Sequence, residues 1–159
     1  MLDLDQAPTP GFLVWRLSLR WRAAVDRAVA PLGLTHAQYS VLASLLGVAR
    51  KGRRPSQREL ADHTGLDAIY VSKLARALEG AGLVERAPDP DDSRAVRLGL
   101  TAAGTEVATA AVDTVGRLQD ELVAPLGGRG SARTRELVET LHTLLAAPLT
   151  PVETQGDPR

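Results

Sequence analysis

Apolar residues recur at three- and four-residue steps over most of this chain and alternate at period two over one short stretch. That pattern reads as a mainly helical protein with a small hairpin. Phe12, Trp15, Leu19 and Ala23 lie on one stripe that ends near Pro31-Leu32-Gly33, predicting an amphipathic helix from Gly11 to Leu32. Thr35 and Gln38 have the spacing of a capping box, in which a hydroxyl and an amide satisfy free backbone N–H groups, so a second helix should run from Thr35 to about Leu46. Ser56 and Glu59 repeat the device and predict a short helix through His63, with Gly47 to Pro55 as a basic connector between the two. Asp67 is a plausible N-cap for a helix from Ala68 to about Ala81, with Val71, Leu74 and Leu78 on one face and Gly82 as its stop.

The strand candidates are Leu83 to Arg86 and Val96 to Leu100, joined by the turn-forming run Pro88 to Ser93. Thr101 then caps a long helix carrying Val107, Ala111, Val115, Leu118 and Leu122 as far as Pro125. Beyond the Gly127 to Gly130 link, Ser131 caps a last helix with Leu137, Leu141 and Leu144 in its stripe. Residues 148–159 are rich in proline and poor in apolar surface, so a disordered tail is expected there.

Between Ser56 and Thr101 the order is helix, tight turn, helix, strand, charged loop, strand. Ala61, Gly65 and Val71 stand where a helix-turn-helix needs a small crossing residue, a left-handed glycine and a core-facing apolar residue. The second helix can then present Ala68, Tyr70, Ser72, Lys73 and Arg76 outward. Lys73 and Arg76 suit guanine edges or phosphates, Ser72 suits either, and Tyr70 can pack on sugar or a thymine methyl. Arg94 at the hairpin tip could reach a minor groove. Ser56, at the head of the first helix, completes the candidate DNA-binding set.

The run Leu34 to Leu42, the Glu59-Leu60-Ala61 helix, Leu78 to Arg86, and Asp92-Ser93-Arg94 leading into Leu98-Gly99-Leu100-Thr101 together resemble the MarR family of bacterial transcriptional regulators. The resemblance runs in unbroken order from about Gly11 to Ala147. It implies a winged helix-turn-helix with a helical dimerisation region: residues 11–48 for dimerisation and a ligand pocket, 49–101 for a DNA-binding lobe, and 102–147 for further dimerisation. It also implies a homodimeric repressor of a double-stranded DNA operator, with Arg94 as the wing arginine and Asp92 bracing the wing. The aspartates of this loop can bond turn amides or pair with Arg94, Arg86 or Arg97; Asp92 is favoured as the brace, and Asp89 and Asp91 are expected to stay solvated. The anticipated effector is a small aromatic or phenolic molecule.

Charge complicates that picture, because 19 basic residues balance 19 acidic ones. Between Arg50 and Arg97 ten basic residues meet eight acidic ones, so only their placement in space could make a phosphate-binding surface. The chain has no cysteine, which excludes disulfides, thiolate metal sites and thiol redox sensing. No export signal or membrane span is legible, and a cytoplasmic location is expected.

Four of the five aromatics, Phe12, Trp15, Trp21 and Tyr39, fall on the first two helices, where they could sandwich a planar ligand or fill a dimer core. Trp15 and Tyr39 are the preferred pocket residues, with Arg16, Arg20 and His36 as partners for an anionic ligand. His36, His63 and His142 lack the spacing of a helical metal pair, so neither metal nor cofactor is expected. No nucleophile–base arrangement appears, and an enzyme is not expected. The rival reading is a winged-helix module for protein–protein contact without operator binding. Against it stands the polar, cationic character of the Tyr70 to Arg76 face, which lacks the apolar anchors of a protein hot spot.

Overall fold

The computed structural model describes residues 8–149. Residues 150–159 of the expected tail lie outside them. The fold is mainly helical with a two-stranded antiparallel hairpin, as expected. The chain forms two compact units, one up to Leu118 and one from Gln119.

In the first unit, α1 (Pro10–Val29) is started by Thr9, whose side chain accepts from the Phe12 amide, with proline at the first helical position. A 3-10 turn, Ala30–Leu32, ends on Gly33 in the left-handed region. The capping box of Thr35 and Gln38 opens α2 (His36–Ala49), and a carboxylate from the preceding helix reinforces it: Asp26 Oδ1 on α1 accepts from the His36 amide at 2.6 Å. Helix α2 runs three residues beyond the expected stop, through Gly47-Val48-Ala49, so the connector begins at Arg50. A single glycine costs a helix only about 1 kcal/mol. Continued backbone bonding offsets that cost, as the Arg50 amide donates to Leu46 O at 3.1 Å, and Val48 is half-buried.

Helix α2 is the centre of this unit, touching α1, α3 (Gln57–Thr64), α4 (Ala68–Gly80) and β2 (Val96–Leu100). Leu60, Val71, Leu78 and Leu98 close on it with the buried α2 residues. The turn between α3 and α4 passes through Gly65 at φ 69°, where a Cβ would be strained. Strand β1 (Val84–Pro88) pairs with β2 in a register from Val84 opposite Leu100 to Pro88 opposite Val96. It begins and ends later than the expected Leu83 to Arg86. The hairpin is anchored behind by a bridge between Ser56 and Arg97 and by the Leu98 amide donating to Pro55 O at 2.9 Å.

Thr101 caps α5 (Ala102–Val123): its Oγ1 accepts from the Gly104 amide at 2.9 Å and donates to Gly82 O at 2.6 Å. Gly104 lies so close to the Leu83 carbonyl that a Cβ there would overlap it. In the second unit, α6 (Ala132–Ala146) is capped by Ser131, and the buried Thr134 hydroxyl donates to Gly128 O. Among the described residues no single helix is long and apolar enough to cross a membrane.

Candidate nucleic-acid interface

Asp67 sets the position of α4 by accepting from the amides of Ile69 and Tyr70 at 2.9 and 3.1 Å. With Val71, Leu74, Ala75 and Leu78 turned into the core, Ala68, Tyr70, Lys73 and Arg76 stand exposed and Ser72 is half-buried. The one large aliphatic residue exposed on this helix lies outside the expected set. Ile69 is 69% exposed, so the face is not without an apolar anchor.

Beside the start of α4 lies a groove of about 750 Å³, walled by the first turn of α3 and by the hairpin loop. It brings together Ser56, Ala68, Asp92 and Arg94 from the expected set, with Arg58 and Arg97. Tyr70, Ser72, Lys73 and Arg76 lie on α4 outside that lining.

The loop is held by two aspartates in different ways. Asp92 Oδ1 accepts from the Arg94 amide at 2.9 Å, and its carbonyl accepts from Ala95 N, so it shapes the turn that carries Arg94. Asp89, expected in solvent, is instead buried. Its amide donates to Ala95 O, its Oδ1 accepts from the Asp91 amide at 2.9 Å, and its Oδ2 pairs with Arg97 Nε at 2.6 Å. The Asp91 amide above all, and then Arg97, hold the Asp89 carboxyl below the ordinary aspartate range against the opposing effect of burial.

Arg97, one of three arginines open to the loop aspartates by sequence, is the junction, and its reach beyond the loop was not foreseen. Its Nη1 donates to Glu59 Oε2 at 3.0 Å and to Arg54 O at 3.1 Å while Nε holds Asp89. Glu59 also pairs with Arg53 at 3.2 Å and accepts from the Ser56 amide at 2.7 Å, which is the main reason its carboxyl is held low. Helix α3, the connector and the loop are therefore tied through one guanidinium. The only signal in the sequence was an arginine at an outward strand position facing a carboxylate-rich loop.

The residues expected around a ligand are less concentrated. Arg16 and Arg20 line a shallow depression of about 240 Å³ on α1 with Leu13 and Leu17, a lining that does not include Trp15, His36 or Tyr39. Trp15 is exposed and sits 6.0 Å from the Phe12 ring, and the Arg16 guanidinium lies 5.9 Å from the centre of that ring. His36 and Tyr39 are half-buried at the start of α2. Burial depresses the His36 pKa, with Asp26 opposing and Arg22 adding to the effect, and burial raises that of Tyr39. Trp21 packs against the core with Tyr39.

Comparison with known proteins places this geometry. A family model described as MarR family matches residues 32–95. The chain is 35% identical over 116 residues to the uncharacterized HTH-type transcriptional regulator YdcH of Bacillus subtilis, covering 73% of this chain and 79% of that protein. It is 29% identical to the HTH-type transcriptional repressor Rv2887 of Mycobacterium tuberculosis, covering 86% and 95%. Among solved structures, a cysteine-to-serine mutant of E. coli MarR complexed with operator DNA is similar at a TM-score of 0.71. That match has 26% identity and covers 86% of this chain and 93% of that one.

Proposed function

This chain belongs to the MarR family of transcriptional regulators, and from that premise we propose a homodimeric repressor that grips a near-palindromic operator and is released by a small aromatic or phenolic effector. Its family and relatives make it a DNA-binding regulator of the repressor type. The DNA reading is carried by one observation: Lys73 and Arg76 on α4 and Arg94 on the wing are exposed cations, and none has an ion-pair partner among the described residues. Unpaired cations are available to phosphates and base edges, whereas Arg53, Arg54, Arg86 and Arg97 already hold carboxylates. In this reading Ala68, Tyr70, Ser72, Lys73 and Arg76 enter the major groove. Arg94 enters the flanking minor groove, Ser56 bonds the backbone, and Asp92 keeps the wing in shape.

One short helix reads few base pairs, so two copies are needed, with their α4 helices about 34–36 Å apart in successive grooves. Support for a second copy comes from helix faces left apolar and open. Phe12, Leu13, Trp15, Leu17 and Leu19 are exposed on α1, and Leu137, Leu141 and Leu144 on α6. Residues 11–48 and 102–147 would dimerise, and 49–101 would form the reading lobe. Trp15, Arg16, Arg20, His36 and Tyr39 are the effector contacts we assign, suited to a ring bearing an anionic group. The effector acts by binding the operator-incompetent arrangement more tightly; equal affinity for both would shift nothing. With no cysteine, a thiol cannot be the sensor. The protein would work in the cytoplasm, where its operator is.

Duplexes selected from the genome by the purified protein, titrated at rising salt, test this. A steep loss of affinity with salt is expected, with Arg94→Ala and Lys73→Ala each weakening binding and Arg94→Ala remaining dimeric. Unchanged operator binding in both variants, or a strictly monomeric protein, would defeat the reading.

A further inference from the structure

Helix α4 carries one large aliphatic side chain that the protein does not use for its own packing. Val71, Leu74 and Leu78 are buried, whereas Ile69 is 69% exposed on the first turn. Ile69, Lys73 and Arg76 are spaced i, i+4 and i+7, which puts them on a single stripe of the helix with the isoleucine at its N-terminal end. That end is where a recognition helix reaches base edges. The base edges of the major groove present several hydrogen-bonding groups but only one apolar group, the C5-methyl of thymine. The cations behind Ile69 complement the phosphates and guanine edges of the same groove, so the stripe as a whole matches duplex DNA better than the apolar pocket of a protein partner.

We infer that Ile69 reads a thymine C5-methyl in each operator half-site and makes thymine preferred there. The inference rests on the DNA-binding reading above and adds the chemical group recognised.

The test uses an operator duplex selected from random DNA by the full-length protein, with each thymine replaced in turn by deoxyuridine, which removes only the methyl. At one thymine per half-site, replacement should weaken binding about fourfold, the value of one buried methyl-sized group. Ile69→Ala should weaken binding to the unmodified operator and should be indifferent to deoxyuridine at that position. Deoxyuridine without effect at every thymine, or a half-site containing no thymine, would overturn the inference using unaltered protein. So would a deoxyuridine penalty of the same size in Ile69→Ala. Operator binding that survives while these effects are absent removes only the role of Ile69, whereas failure to select any operator would overturn the DNA-binding reading and this inference with it.

Discussion

Arg97 and Asp89 meet at the base of the hairpin loop, guanidinium Nε to carboxylate Oδ2 at 2.6 Å, and Asp89 is one of only two buried polar residues among those described. A paired carboxylate whose pKa is depressed stabilises the fold above the ordinary aspartate value of 3.8, and that contribution disappears as pH falls through the lower folded value. Asp89→Asn should therefore flatten the acid end of the stability profile. Arg97→Met should cost more than Asp89→Asn at neutral pH, because it leaves a buried charge uncompensated and strips Glu59 of a partner. Urea midpoints between pH 3 and 7 measure both effects, and an Arg97→Met protein as stable as the parent would contradict the network.

Gly104 allows the first turn of α5 to press against the backbone of Leu83. An added Cβ would lie 1.8 Å from the Leu83 carbonyl oxygen, and backbone cannot rotate aside as a side chain can. Alanine is ordinarily the better helix former by about 1 kcal/mol, yet here overlap should win. Gly104→Ala is expected to destabilise by about 1–3 kcal/mol in denaturant unfolding. A stabilised variant would show that the close approach is not maintained in solution.

The Ser56 hydroxyl oxygen accepts from the Glu59 amide at 3.1 Å, and the Ser56 amide donates to the Glu59 carboxylate in return at 2.7 Å. Ser56→Ala should lower stability by about 1 kcal/mol, and Ser56→Thr should lose much less, since its hydroxyl can cap the same amide without setting a charge beside Glu59. Equal losses in calorimetry would argue against capping by the hydroxyl as the source of the effect.

His36 has a pKa below its usual 6.5, chiefly because burial disfavours the charged ring. A lowered histidine value means that the unfolded chain takes up the proton first. Stability should thus fall as pH drops from about 6.5 toward the folded value and level off below it. His36→Gln should remove that slope between pH 5 and 7.5, and a profile identical to the parent's would place the titration elsewhere.

Local chemistry was the most legible part of the sequence. Thr35, Ser56, Asp67, Thr101 and Ser131 all sit within three residues of the amides they cap, so the spacing of side chains along the chain revealed every helix start from α2 to α6. What escaped depended on distance. Arg97 meets Glu59 across 38 residues, and nothing in either neighbourhood announces the other. Asp89 resembles its neighbours Asp91 and Asp92 in composition, yet only the strand register turns it inward. Ile69 was missed for a different reason: the core face fixed by Val71, Leu74 and Leu78 already leaves it outside, but only polar and cationic side chains were sought on the outward face. The three further residues of α2 show that a lone glycine is a weak breaker: the backbone ladder simply continues past Gly47 to the Arg50 amide on Leu46 O.

Ser56 also belongs to two elements at once, heading α3 and bridging Arg97 on β2. The hairpin is consequently not a detachable flap. Length changes and grafts from other regulators should be accepted only at its outer bend, about Pro90 to Arg94. An insertion nearer the strands would shift the helical module along with the graft, so any exchange of specificity has to transplant the two together.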